Sequence, residues 1–312
     1  MDQARPVDVT KCTVCGSSGL TLYDGLSDVT FGVKGVWGLR KCTSEACGLI
    51  WLDPAPSLPQ LRSFYEGYYT HTECAQAMST LHRLFAKLVG SERARRNAWA
   101  LYLSDNKPGR LLEVGFGAGT RLGYFQQLGW EVEGQELDPV AAKNARTAGY
   151  KVHEGDLGAL QLPEGSFDAV IGSHVLEHVQ DPVRFLAEAR RLLKPGGQMT
   201  MVTPNGDSYG HRRFGAHWRG LEVPRHLHIF SPGSLALVAK SLNLGAYDIQ
   251  STPINATNFL IPSMKASRSA GRLDRYSPIS VKLATVLHLV LARASFHRDP
   301  QSGEELILQG WA

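Results

Sequence analysis

Leu111-Leu112-Glu113-Val114-Gly115-Phe116-Gly117-Ala118-Gly119-Thr120 is an apolar strand running into three glycines at alternate positions and then into the start of a helix. Such a turn lets the main chain approach a ligand closely. A side chain at Gly115, Gly117 or Gly119 would block that approach or resist the dihedrals of a tight strand-to-helix turn. The turn alone does not name the ligand, because dinucleotide enzymes use a similar one. Their fingerprint places Gly at the sixth position counted from Gly115, where this chain has Thr120. Glu113, at the end of the strand, would repel a pyrophosphate and suits a positively charged ligand end.

Outward from that turn, short apolar strands alternate with amphipathic helices, as a parallel α/β sheet requires. The pattern predicts strands at 110–114, 130–135, 151–153, 169–172 and 198–203, and helices at 121–128, 139–148 and 183–193. The second strand ends in Gly134-Gln135-Glu136-Leu137-Asp138-Pro139, with an acid at its carboxyl edge roughly twenty residues past the glycines, where ribose hydroxyls are usually held. Glu136 is the expected ribose ligand, with Leu137 beside it. Asp138 is the alternative, but its place before Pro139 reads as a helix cap. After the third strand, Glu154-Gly155-Asp156-Leu157 offers Asp156 to an adenine amino group and a backbone amide, at Leu157, to a ring nitrogen.

Three further runs make the pattern specific: Phe167-Asp168-Ala169-Val170-Ile171, Ser173-His174-Val175-Leu176-Glu177-His178-Val179 and Leu192-Leu193-Lys194-Pro195-Gly196-Gly197. With Glu113 to Gly119 and Glu136, they resemble the class I S-adenosylmethionine-dependent methyltransferases over about residues 111–204. The resemblance implies a Rossmann-like, mostly parallel sheet with an antiparallel edge strand. It also implies that Glu113, Gly115, Phe116, Gly117, Gly119, Glu136, Leu137, Asp156 and Leu157 hold S-adenosylmethionine, and that Ser173 and His174 line the donor sulfur.

Methyl transfer from a sulfonium is an in-line displacement, so the protein mainly aligns the partners and excludes water, with a base needed only for a protonated nucleophile. His174 directly follows the fourth strand and is the first candidate base. His226, in Pro224-Arg225-His226-Leu227, is the second. His178 stands one helical turn after His174 and reads first as structural. The same stretch resembles quinone-pathway O-methyltransferases, in which acidic and His residues hold a metal. This chain has His174 where they carry an acid, which speaks against a catalytic metal.

Cys12-Thr13-Val14-Cys15 and Cys42-Thr43-Ser44-Glu45-Ala46-Cys47 form two knuckles whose four thiolates suit tetrahedral zinc, with Cys47 the least regular in spacing. The layout of these knuckles, then Leu49 to Pro54, then Phe64 to Tyr69, is similar to a subgroup of methyltransferases acting on sugars and secondary metabolites. Residues 1–55 are therefore expected to be a zinc-ribbon-like module with a structural Zn2+, and 56–105 a helical connector carrying Leu81, Leu84, Phe85 and Leu88 at helical spacing. Residues 106–312 are expected to form the methyltransferase domain, with a substrate cap at 204–230 and an insertion at 252–302. Glu304 to Gln309 reads as a returning edge strand.

The chain has 33 basic and 29 acidic residues, a balance too even to indicate a nucleic-acid binder, and the basic residues of 1–55 are only Arg5, Lys11, Lys34, Arg40 and Lys41. No run is apolar and long enough to cross a bilayer and no leader pattern opens the sequence, so the expectation is cytoplasmic, without stable membrane insertion. The apolar stretch 279–296 reads as a packed lid helix by default, with a dimer face or an interfacial helix for a lipid-linked substrate as alternatives, so a homodimer stays open. The cap is dense in Tyr209, His211, Arg212, Arg213, His217, Trp218, Arg219, Arg225, His226 and His228, which suits an anionic or glycosyl small molecule. The resemblance thus implies methyl transfer to an O, N or C nucleophile of a sugar or natural-product intermediate. A noncatalytic cofactor-binding protein with a zinc interaction module is the alternative, and an RNA methyltransferase a weaker one.

Overall fold

Three strands open the chain: β1 (Gly19–Leu26), β2 (Trp37–Cys42) and β3 (Ile50–Asp53) form an antiparallel meander. The short strand β9 (His228–Ile229) from the cap adds to β3, through Ile50 opposite Ile229 and Trp51 opposite His228. The structure, a computed structural model, describes residues 10–64, 91–269 and 278–312. Cys74 and the run Leu81 to Leu88 lie outside the described residues.

The second sheet has seven strands. β4 (Arg110–Val114), β5 (Glu131–Glu136), β6 (Lys151–Glu154), β7 (Phe167–Ser173), β8 (Leu193–Pro204), β10 (Ala246–Thr252) and β11 (Glu305–Trp311) lie in the order β10-β11-β8-β7-β4-β5-β6. The five strands predicted from 110 to 203 are all present. Only β11 runs against its neighbours; it lies between β8 and β10, and β10 takes the outer place. β8 starts five residues earlier than expected, because the pairing Phe167–Leu193 continues across an irregularity into Ala169–Gln198 around the Lys194-Pro195-Gly196-Gly197 turn.

Chain order β4, β5, β6 runs to one side of β4, and β7 and β8 continue on the other. The sheet therefore reverses direction between β4 and β7, and the crevice at the carboxyl ends of those strands is where open α/β sheets bind ligands. The helices before the insertion are α1 (Leu58–Ser63), α2 (Glu92–Trp99), α3 (Thr120–Gln127), α4 (Pro139–Thr147), α5 (Pro182–Arg191), α6 (Tyr209–Phe214) and α7 (Pro232–Ser241); α3, α4, α5 and α7 pack on this sheet, while α1 and α6 bring Leu61 and Phe214 to the core beside the small one. Their starts are encoded locally. Asp138 accepts a hydrogen bond from Val140 N at α4, Asp181 from Arg184 N at α5, and Ser231 from Ser234 N at α7, each just before a proline at the first helical position.

Among the described residues the insertion contains two helices, α8 (Ala256–Ser269) and α9 (Pro278–Arg298). No helix of the described residues is long and apolar enough to cross a membrane. Leu112, Val114, Val170, Met199 and Leu306 share one buried cluster with Cys12, Cys42, Cys47, Leu49 and Trp51, so the cysteine-bearing turns pack against the large sheet's own core. Leu39, Ile50 and Leu52 on the small sheet pack with Trp218, Leu221, Leu227 and Ile229 of the cap.

Candidate active site

At the end of β4 the glycine turn takes the conformation its sequence requires. Gly115, Gly117 and Gly119 all have positive φ, and a Cβ on Gly115 would meet Val175 Cγ2 at 2.4 Å. Phe116 turns into the core against Gly134. Glu136 is tied to this turn: one carboxylate oxygen accepts Gly117 N–H at 2.7 Å, and the other accepts Leu137 N–H at 2.8 Å and Asp138 N–H at 3.1 Å. Asp138 caps α4, as its position before Pro139 predicts. Leu137 is 59% exposed at the carboxyl edge. Asp156 caps the short 3-10 turn Leu157–Ala159 by accepting Gly158 N–H at 3.0 Å, while the Leu157 side chain is buried in the core.

Glu113 is 2% exposed, and burial, only partly offset by Arg121, pushes its carboxyl up to about 7. Its Oε1 lies 3.6 Å from Arg121 Nη1, and its Oε2 has no hydrogen-bond partner among the described residues. A buried, unsatisfied carboxylate oxygen beside a glycine turn is the chemistry a cationic ligand completes. The residues present therefore fit a cofactor with a cationic end: Glu113 is the unsatisfied acid, and Glu136 stands on the same glycine turn.

Next to this crevice lies a cluster of histidines and carboxylates. His174 has φ +56, a left-handed conformation rare outside glycine, directly after β7. Its Nδ1 is 3.1 Å from Glu177 Oε1 and its Nε2 is 2.8 Å from Glu305 Oε1. Burial alone would lower its pKa, but these two carboxylates raise it to about 10. At neutral pH it is an imidazolium with both N–H groups given away. Glu177 also accepts Thr203 Oγ1–H at 3.0 Å and is held at about 2, the cationic His174 outweighing the cost of burial.

His226 is the opposite case. Burial depresses it to about 4, so it is neutral. Its Nδ1 donates to Gly220 O at 2.7 Å, and its Nε2 lies 3.7 Å from Glu222 Oε2 and 4.0 Å from Glu177 Oε1. His178 packs edge-on against it at 4.7 Å between ring centroids, with Nδ1 3.1 Å from Arg225 O. Glu177, His178 and His226 each bring one donor atom within 4.8 Å of the others, so this group could hold a cation, although His174 already supplies a positive charge to Glu177.

The cap's cationic side chains are largely neutralised within the protein. Arg225 is fully buried and pairs with Asp28 at 2.8 Å and Glu222 at 3.1 Å, beneath the ring of Phe31. Arg219 pairs with Glu222 and Arg212 with Asp299. His228 Nδ1 is 3.2 Å from Val179 O, and burial depresses it to about 4. His211 bridges Gly206 O and Tyr23 Oη and stacks on Trp218. The sequence did not single out Glu305, Glu222 or Asp28. Glu305 and Asp28 meet partners far away in the chain, His174 and Arg225, whereas Glu222 pairs with Arg219 and Arg225 three residues to either side.

Away from this crevice, Cys12 Sγ and Cys47 Sγ are 3.6 Å apart, Cys15 Sγ and Cys42 Sγ 3.4 Å, and all four sulfurs lie within 4.8 Å of one another. A tetrahedral zinc thiolate site has sulfurs about 3.8 Å apart, so the four fit the ion, Cys47 included. A cavity of about 720 Å³ opens beside them, lined by Lys41, Ser44, Asp207, Pro232 and Tyr247. None of its lining residues belongs to the glycine turn.

A family profile described as a methyltransferase domain matches residues 79–247, just over half of the chain. An uncharacterised 37.1 kDa protein of transposon Tn4556 from Streptomyces fradiae is 34% identical over 113 residues, 33% of each chain. A ubiquinone biosynthesis O-methyltransferase of Xanthomonas oryzae is 34% identical over 155 residues, 45% of this chain and 64% of that one. The chain thus spans between a third and just under two thirds of these curated relatives. Among solved structures, an S-adenosylmethionine-dependent methyltransferase of Thermotoga maritima superposes with a TM-score of 0.49 at 18% identity, covering 81% of this chain and 96% of that one. A 1,6-didemethyltoxoflavin-N1-methyltransferase of Burkholderia thailandensis gives 0.47 at 16% identity, covering 86% and 96%.

Proposed function

This chain belongs to the class I S-adenosylmethionine-dependent methyltransferases, and on that premise we propose that it methylates an O, N or C nucleophile of a small molecule. The observation that carries the reading is the convergence on one glycine turn of Glu136, hydrogen-bonded to the turn itself, and Glu113, with its buried unpartnered oxygen. Bound there, S-adenosylmethionine supplies a methyl group on a sulfonium for in-line displacement.

The chain's own residues then act on the acceptor. His226, neutral and buried, is the residue we assign to take the acceptor's proton on Nε2; its Nε2 lies near Glu222 and Glu177, which would stabilise the imidazolium so formed. His174 holds its proton between two carboxylates and fixes Glu177. Because Arg225, Arg219 and Arg212 are paired internally, the cap favours an uncharged, hydroxylated acceptor of the glycosyl or natural-product kind over an anionic one. The four cysteines hold a structural Zn2+.

Calorimetric titration with S-adenosylhomocysteine tests the cofactor reading. Saturable binding is expected, weakened by about tenfold or more in Glu136→Ala through loss of a charged hydrogen-bond acceptor. Absence of binding in both proteins would leave a noncatalytic nucleotide-binding fold with a cysteine cluster.

The affinity should also depend on pH in a fixed direction. With the Glu113 carboxyl at about 7 in the free protein, it is protonated at pH 6 and ionised at pH 8, and only the ionised form attracts an ammonium. S-adenosylhomocysteine is expected to bind more tightly as pH rises from 6 to 8, by up to about tenfold. Glu113→Gln should flatten this profile; an unchanged slope in that variant would remove Glu113 from the ammonium site.

A further inference from the structure

A methionyl group carries two opposite charges, and Glu113 answers only one of them. Arg121, second residue of α3, stands beside it. Its Nη1 is 3.6 Å from Glu113 Oε1, its Nη2 donates to Ser173 Oγ at 3.3 Å, and its guanidinium lies 5.2 Å from the centre of the Trp99 ring in α2. At 3.6 Å the Glu113–Arg121 contact is too long for a well-formed hydrogen bond. It leaves Glu113 Oε2 and Arg121 Nε, both buried, without a partner among the described residues. Native interiors rarely leave such atoms unsatisfied.

An ion pair held apart in this way, at the mouth of a glycine turn, is complementary to an incoming zwitterion. An ammonium satisfies the carboxylate and a carboxylate satisfies the guanidinium fork, so each charge exchanges a long contact for a close one. Ser173 and the Trp99 face hold the guanidinium in place from two directions, which limits the ordering that binding has to supply.

We propose that Arg121 binds the carboxylate of the cofactor's methionyl group while Glu113 takes its ammonium, so that Arg121 makes the site specific for the intact amino-acid end. The assignment rests on the cofactor reading above, and it concerns a residue that the glycine-turn pattern does not single out. Arg121 acts here as a binding residue. The positively charged donor gives up its methyl the same way with or without it.

Three ligands separate the charges: S-adenosylhomocysteine, its decarboxylated analogue, which keeps the amine, and 5′-methylthioadenosine, which lacks both groups. Calorimetry is run with the native protein, Arg121→Gln, Arg121→Lys and Glu113→Gln. Arg121→Gln is expected to weaken S-adenosylhomocysteine by about ten- to hundredfold while leaving the other two ligands within about threefold. Arg121→Lys should restore part of the loss, as a charge without the fork. Glu113→Gln should weaken both amine-bearing ligands and spare 5′-methylthioadenosine. Equal weakening of all three ligands by Arg121→Gln and Arg121→Lys would make Arg121 a structural partner of Glu113 and overturn the proposal, as would unchanged S-adenosylhomocysteine affinity. Failure of the native protein to bind any of the three would overturn the cofactor reading itself, and the assignment with it.

Discussion

Removing the metal from the four-cysteine cluster is expected to disorder the β1–β3 sheet while the seven-stranded sheet survives. Cys12 and Cys15 precede β1, Cys42 ends β2, and Cys47 lies in the turn to β3, so an ion held by the four would tie the start of β1 to the β2–β3 connection. Without it, the thiols compete for negative charge. Cys12 is drawn down to about 5 by its hydrogen bond with Cys47, whose own thiol is pushed up by the same contact, and burial pushes Cys42 up to about 11. A divalent cation removes that conflict. Structural zinc contributes about 10–16 kcal/mol in isolated zinc-finger peptides, where it supplies nearly all the order. Here Leu49 and Trp51 are in the main core and Ser231 Oγ donates to Cys47 O, so packing retains part of the structure.

The expected result of chelation, or of Cys12→Ser, is a fall in melting temperature of about 10 °C or more with loss of tryptophan near-ultraviolet dichroism from Trp37 and Trp51. Far-ultraviolet dichroism should fall little. Metal analysis should find one zinc per chain, carried by the thiolates. A protein that purifies without metal, and whose Cys12→Ser variant melts at the native temperature, would make the cluster a set of buried thiols.

What the sequence displayed and what it hid follow from the range of each interaction. Gly115 to Gly119, Asp138 before Pro139 and the ends of β4 are local: backbone dihedrals and caps a few residues apart decide them, and the residues themselves carry the signal. The pairing of β9 with β3 is two residues long and joins positions far apart in the chain, so it leaves no periodic trace. His174 shows the consequence for chemistry. Read alone after a strand, it has the pKa range of a base. Glu177, three residues on, and Glu305, contributed by β11, together turn it into a fixed cation, and the second of these carboxylates is announced by nothing near position 174. The cap was misleading for a similar reason. Its arginines and histidines look like a charged surface until Asp28 and the backbone carbonyls of Gly220 and Val179 are found opposite them.

Asp28→Ala should be among the most destabilising single changes in this chain. Arg225 is 0% exposed and Asp28 2%, so neither charge can turn to water when its partner is removed. Breaking a buried pair from one side costs about 3–5 kcal/mol, because the remaining charge stays in a poorly solvating interior. Glu222 remains beside Arg225 Nε and softens that loss without replacing the bond to Nη2. Asp28 also accepts the N–H groups of Thr30, Phe31 and Val33, so the alanine variant loses the loop that places Phe31 over the guanidinium. Asp28→Asn can keep one oxygen for those amides and should be milder by about 1–2 kcal/mol.

Charge and packing are separable by a double-mutant cycle of Asp28→Asn with Arg225→Met in urea. The single Arg225→Met change leaves Asp28 and Glu222 without their cation, whereas the double variant removes the uncompensated Asp28 charge as well. A coupling energy of about 2 kcal/mol or more is therefore expected, the double variant being more stable than the sum of the singles predicts. Because Arg225 O meets His178 Nδ1 and His226 is the next residue, the same cycle read on acceptor turnover should move the rate while S-adenosylhomocysteine affinity stays constant. Additive stabilities within about 0.5 kcal/mol would mean that the two charges are each accommodated by other partners, and that the small sheet bears on the acceptor side only through its apolar face.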